Sequence, residues 1–114
     1  MHELSIARSI VEIAAQAVRN AGAEKTITVH VRIGALSAIA PVALEFSYDV
    51  AARDTALANS RLVVELVPAT VSCPICKVDT ELTTPTIFEC GICGTPTGDV
   101  RSGRELEVVS VEVV

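Results

Sequence analysis

The chain has 114 residues, half of them apolar, a formal charge of −5, and only three aromatic rings, Phe46, Tyr48 and Phe88. That length leaves room for one modest core with a small appended module and excludes two large domains. The acidic balance and the shortage of rings oppose nucleic-acid binding, which draws on cationic surface and stacking platforms.

Residues 5–21 repeat apolar side chains at three- and four-residue spacing (Ile6, Ile10, Ile13, Ala14, Ala17, Val18), which predicts an amphipathic helix with Arg8, Glu12, Gln16 and Arg19 on the wet side and Gly22 as its stop. Ile27, Val29, Val31 and Ile33 then alternate with Thr26, Thr28, His30 and Arg32, the period of a half-buried strand ended by Gly34, with His30 facing solvent. A loop over 35–40 leads to Pro41, which suits the first turn of a second helix over 41–53 that offers Leu44, Phe46, Tyr48, Val50 and Ala51 for burial. Residues 61–67 read as a strand closed by Pro68, so strand, helix and strand suggest a right-handed parallel crossover. A valine-rich strand over 105–114 is expected to rejoin the first two.

Between 70 and 103 the apolar period gives way to prolines, threonines, glycines and all four cysteines. Such a segment is not expected to build a core alone. The fold class expected is α+β: a small sheet of about three strands with two helices, plus an inserted zinc-ribbon-like four-cysteine domain. The expected division is 1–69 with 104–114 as one domain and 70–103 as the other. No apolar run approaches the roughly 20 residues that span a bilayer, and Met1-His2-Glu3-Leu4-Ser5 lacks the leader of a secretory signal. The expectation is a cytoplasmic protein, a monomer or weak dimer, whose paired cysteines meet a reducing thiol pool and ligate metal.

Cys73-Pro74-Ile75-Cys76 and Cys90-Gly91-Ile92-Cys93 are two Cys-x-x-Cys pairs separated by thirteen residues, close to four-cysteine zinc spacing. Each pair is a tight turn that puts two sulfurs on one side, and Gly91 and Gly94 relieve crowding around the second. Four protein ligands close the coordination sphere, so a catalytic water has no place and the metal is structural. Tetrahedral sulfur also suits iron, which keeps a rubredoxin-like electron carrier open as an alternative, although a shell of rings to dry an iron centre is nearly absent. A zinc-ribbon interaction module without nickel is the other alternative.

His2 stands where the α-amine, a deprotonated backbone amide and the imidazole can close adjacent chelate rings around one ion, a nitrogen-rich planar set that suits Ni²⁺ or Cu²⁺. The amine loses its proton near neutrality, at a pKa of about 7.7 to 8.0. The bulky second residue hinders removal of Met1.

Taken together, these residues resemble the hydrogenase nickel-incorporation proteins of the HypA/HybF family over almost the whole chain. Met1-His2-Glu3-Leu4-Ser5 looks like the family's opening. Ile33-Gly34-Ala35-Leu36-Ser37 followed by Pro41, the two cysteine pairs, and Gly103-Arg104-Glu105-Leu106 appear in the family's order. The resemblance implies a nickel metallochaperone without catalytic activity. Ni(II) would be held at the N-terminus by His2, with the Met1 amine and the backbone amides of His2 and Glu3 as further ligands. Zn(II) would be held by Cys73, Cys76, Cys90 and Cys93. It also implies a GTPase partner, HypB, and the large subunit of nickel-iron hydrogenase as acceptor. The second pair reads Cys-Gly-Ile-Cys where many relatives carry proline after the first cysteine. Histidines beside the pairs, which some members carry and which are linked to urease maturation, are absent here, so hydrogenase is the expected destination.

Overall fold

The computed structural model describes residues 3–114. Its elements run α1 (Glu3–Asn20), β1 (Thr26–Gly34), a single 3-10 turn (Ala35–Ser37), α2 (Pro41–Ala52), β2 (Arg61–Val67), β3 (Thr70–Ser72), β4 (Asp79–Glu81), β5 (Val100–Ser102) and β6 (Leu106–Val113). The strands form two three-stranded sheets, ordered β2-β1-β6 and β4-β3-β5. This is the α+β architecture expected from the sequence, with β6 rejoining the first two strands as anticipated. Among the described residues, no helix is long and apolar enough to cross a membrane.

By contact the chain falls into two compact units, one of Met1–Arg32, Ile39–Glu65 and Glu107–Val114, the other of Ile33–Ala38 and Leu66–Leu106. In the first, α1 packs on α2. Helix α1 buries Ala7, Ile10, Val11, Ala14 and Val18, a stripe at three- and four-residue intervals. Ile13 and Ala17, expected on that face, are exposed, because a stripe centred on Ile10 and Ala14 leaves them round the helix. The helix closes with Gly22 N–H on the Arg19 carbonyl and Ala23 N–H on that of Val18, the paired bonds that satisfy last-turn carbonyls.

Pro41 opens α2, whose buried residues are Leu44, Tyr48 and Ala52, one per turn. That choice turns Phe46 outward, 71% exposed, along with Val50, so two of the side chains offered for burial lie at the surface instead. The Tyr48 hydroxyl meets Ser60 Oγ at 2.5 Å, and Ser60 Oγ in turn donates to the Leu57 carbonyl at 2.5 Å. The loop after α2 is pinned by side chain as well as backbone.

Strand β1 is central. Gly34 N–H bonds the Glu105 carbonyl and Val114 N–H bonds the Lys25 carbonyl, so opposite ends meet and β6 runs antiparallel to β1. Val29, Val31 and Ile33 are buried as the alternation requires. At the start of the strand the alternation fails: Thr26 is buried and Ile27 exposed, the reverse of the expectation, which places the change of phase between Ile27 and Val29. On the wet face Arg32 joins all three strands, its Nε 3.2 Å from Glu65 and its Nη1 3.1 Å from Glu107. His30 bonds Glu112 at 2.9 Å on the same open surface. These pairs are exposed and each adds little, roughly 0 to 1 kcal/mol.

The second unit has a small core that 70–103 does not build alone: Val71 and Leu82 are buried together with Ala69, and Leu36 packs against them beside Phe88 and Val100. Its sheet pairs Val71 with Thr80 on one side and with Val100 on the other, both antiparallel. The stretch over 35–40 is not only loop either, since Ala35–Ser37 forms the 3-10 turn that presents Leu36 to this core.

Candidate metal centre

The four cysteines lie in two turns of the same make. Strand β3 delivers Cys73, after which Lys77 N–H returns to the Cys73 carbonyl at 2.9 Å and Cys73 N–H takes the Val78 carbonyl at 3.1 Å. In the second turn Gly94 N–H returns to the Cys90 carbonyl at 3.0 Å and Cys90 N–H takes the Thr95 carbonyl at 2.9 Å. Each turn closes through a left-handed residue, Lys77 at φ 57° and Gly94 at φ 74°. Gly94 serves through this left-handed backbone and not by relieving crowding, since nothing lies within 4 Å of its Cβ position, while Lys77 accepts the same conformation with a side chain. Gly91 is the one at a crowded place, as expected: a Cβ there would stand 3.3 Å from the Glu81 carbonyl oxygen, and its N–H donates to Thr80 Oγ1 at 3.0 Å.

The two turns bring all four Sγ atoms within 4.8 Å of one another, with Cys73 and Cys93 Sγ 3.6 Å apart. A tetrahedral ion bound by thiolates at about 2.3 Å holds its sulfurs about 3.8 Å apart, so the set fits such an ion. No disulfide links them. Backbone N–H groups point at the sulfurs, from Cys76 to Cys73 Sγ at 3.3 Å and from Ile92 to Cys90 Sγ at 3.4 Å. Such donors stabilise thiolate over thiol.

The four sulfurs are unequal. Cys73 and Cys90 are buried, 1% and 2% exposed, Cys76 is intermediate and Cys93 is exposed. The Cys76 thiol is pushed up to about 12, chiefly by the proton it shares with Cys93. Cys90 is pulled down to about 6 by the backbone N–H groups of Cys93 and Ile92. Cys93 is lowered by the hydroxyl of Thr95 first and by the Thr95 backbone next. A divalent cation bound here would replace the remaining protons and take every sulfur as a ligand.

Two hydroxyls stand beside this cluster that the cysteine spacing did not disclose. Thr95 Oγ1 is 3.0 Å from Cys93 Sγ, and Thr80 Oγ1 lies 3.9 Å from Cys90 Sγ. The position of Thr95, two residues past Cys93, was the available signal. Thr80 comes from β4 and could be found only through the fold.

The terminal chelate expected at Met1 and His2 lies outside the described residues. Glu3 begins α1 and is half-buried, where its charge suits the positive end of the helix. His30 is engaged with Glu112 rather than placed near the sulfurs.

The sequence model of the family described as hydrogenase/urease nickel incorporation, metallochaperone, HypA matches residues 1–113. The chain belongs to the HypA family. It is 49% identical over 112 residues to the hydrogenase maturation factor HypA of Chloroflexus aggregans, an alignment covering 98% of each protein. To the factor of the same description from Roseiflexus it is 41% identical, covering 98% of this chain and 91% of that one. Among solved structures, the Ni metallochaperone HypA from Helicobacter pylori superposes with a TM-score of 0.68 at 20% identity, covering all of this chain and 98% of the other. At that identity the likeness speaks for the fold, and the fold is the one HypA proteins share. Hydrogenase maturation is thus the setting of the family to which the chain belongs.

Proposed function

We propose that this chain is a nickel metallochaperone that binds Ni(II) at its N-terminus and helps insert it into the large subunit of nickel-iron hydrogenase, while Cys73, Cys76, Cys90 and Cys93 hold a structural Zn(II). The observation that carries the reading is the family match over residues 1–113, which takes in the Met1-His2-Glu3 opening and both cysteine pairs. Ligand chemistry supports the division of labour. Four soft sulfurs suit tetrahedral Zn²⁺, and a nitrogen-rich terminus suits planar Ni²⁺. Nickel is cargo, so a terminus that gives up its ion on protonation or to a better-shaped acceptor serves delivery. The GTPase HypB is the partner this reading assigns. No step of bond chemistry is ascribed to the chain, and the working compartment is the cytoplasm. In this reading 1–69 with 104–114 carry nickel and 70–103 carry zinc.

Calorimetric nickel titration of untagged, N-terminally extended and C-terminally extended protein, beside His2→Ala, tests it. An extension before Met1 turns the amine into an ordinary amide, so it and His2→Ala should both weaken nickel binding at least tenfold while the C-terminal extension does not. Equal affinity in the untagged and N-terminally extended proteins would remove the amine from the ligand set. Unchanged affinity in His2→Ala would overturn the terminal site.

A further inference from the structure

Resting on the zinc reading above, we propose that Cys93 is the sulfur through which the metal is exchanged, and that Thr95 is the positioning residue that slows this exchange by donating its hydroxyl to Cys93 Sγ. Three observations carry it. Cys73 and Cys90 are buried, so a competing ligand meets them last, whereas Cys93 is exposed. Cys73 and Cys90 each accept a backbone N–H from within their own turns, from Cys76 and Ile92, and those donors persist whatever side chains stand nearby. Cys93 has, beside the Thr95 backbone, the Thr95 hydroxyl at 3.0 Å, a side-chain donor that one substitution removes.

Four thiolates around one dication leave a net charge of −2, held on sulfur. A hydroxyl proton directed at one sulfur draws off part of that charge, making the thiolate less reactive and the complex less inclined to open. With zinc held by the four cysteines, exchange would be a substitution in which the entering ligand supplies an electron pair to the ion and Cys93 Sγ leaves as thiolate with both electrons of its bond. Thr95 is well fixed for this task. Its carbonyl is bound by Cys90 N–H at 2.9 Å, so the hydroxyl is carried by the same turn that carries both ligands of the second pair. Thr80 is a poorer candidate, because its oxygen accepts Gly91 N–H at 3.0 Å and stands 3.9 Å from Cys90 Sγ.

The test uses full-length protein purified with zinc and begins with its metal content. Wild-type protein without zinc at the cysteines overturns both the zinc reading and this proposal. With zinc present, release to the chromophoric chelator 4-(2-pyridylazo)resorcinol is timed for wild type, Thr95→Val and Thr95→Ser. Thr95→Val should release zinc about tenfold faster, the low end of what loss of a partner behind a ligand costs, and Thr95→Ser should restore most of the wild-type rate. Equal rates in wild type and Thr95→Val, or a Thr95→Ser as fast as Thr95→Val, overturn the proposal and leave the zinc reading standing. Substituted Co²⁺ adds a spectroscopic reading: the thiolate-to-cobalt charge-transfer band should move to lower energy in Thr95→Val, and an unmoved band counts against a hydrogen bond to the ligand. Alkylation of zinc-loaded wild type with iodoacetamide, mapped by mass spectrometry, needs no variant. Cys93 should be modified first, and first modification at Cys73 or Cys90 overturns the assignment of the opening sulfur.

Discussion

Gly34 and Gly103 approach so closely that a Cβ on Gly34 would stand 2.0 Å from the Gly103 carbonyl oxygen. The same carbonyl receives the N–H of Leu36 at 2.7 Å, and Gly34 N–H reaches the Glu105 carbonyl at 2.7 Å. Gly103 has its own constraint: at φ +115° its missing Cβ would fall 2.7 Å from Ala69 Cα. Backbone meets backbone here without room for a side chain.

Gly34→Ala should therefore cost at least about 2 to 3 kcal/mol, the upper part of what overpacking usually costs. Gly103→Ala should cost a similar amount, with backbone strain added to the clash. Gly98→Ala is the control, since nothing lies within 4 Å of its Cβ position and its φ is ordinary. Denaturant unfolding of the three variants decides it, and a Gly34→Ala as stable as Gly98→Ala would contradict the close approach.

What the sequence disclosed depended on how long each pattern ran. The eighteen residues of α1, the nine of β1, the twelve of α2 and the seven of β2 each carry a readable period, and all four elements are present close to their expected bounds. The buried faces were less legible. Phe46 and Leu44 are equally apolar, and only packing against α1 decides that Leu44 and Tyr48 turn inward. Strands β3, β4 and β5 have three residues each, too few to show alternation, so the small sheet and its core around Val71 were hidden. Close cysteine spacing made the sulfur cluster plain, because a Cys-x-x-Cys turn needs no distant partner to bring two sulfurs together. Thr95 was overlooked because a hydroxyl acquires its role only once Cys93 Sγ is seen 3.0 Å away.

Zinc removal gives the second prediction. The core of the second unit rests on Ala69, Val71 and Leu82, which is little apolar volume to order residues 66–106. Chelation should therefore increase amide hydrogen exchange throughout that unit, most at the turns of Cys73 and Cys90, while Ala14, Val18, Leu44 and Tyr48 keep their protection. Unchanged exchange at both cysteine turns after complete zinc removal would show that the small core suffices without metal.

Thr26 supplies a prediction of the opposite sign. It is 1% exposed, and its Oγ1 has no hydrogen-bond partner among the described residues. A buried hydroxyl left unpaired costs about 1 to 3 kcal/mol. Thr26→Val keeps the branched shape that β1 favours and removes the unpaired oxygen, so it should stabilise the protein, by roughly 1 kcal/mol after imperfect packing of the methyl. The check is the midpoint of urea unfolding, and a lowered midpoint would mean that the hydroxyl has a partner such as a buried water.

Tyr48 and Ser60 yield the last prediction. Ser60 has one hydroxyl proton, and with that proton given to the Leu57 carbonyl, Tyr48 is the donor to Ser60 Oγ. Ser60→Ala then leaves a fully buried phenol without an acceptor and should cost about 1 to 3 kcal/mol, whereas Tyr48→Phe removes the polar group itself and should cost about 1 kcal/mol. Burial, the largest influence, raises the Tyr48 pKa above its ordinary 10.0. The folded state therefore favours the neutral phenol, so this contribution is fully present below the unfolded pKa near 10 and is lost as pH rises through the higher folded value. Wild type should accordingly lose more stability than Tyr48→Phe between about pH 8 and about pH 11. Effects of alkali on the cysteines and lysines are common to both proteins and cancel in the difference. Urea titrations of the pair across that range provide the measurement. A stability difference that stays constant with pH would mean that Tyr48 ionises as readily folded as unfolded, against its burial on the inner face of α2.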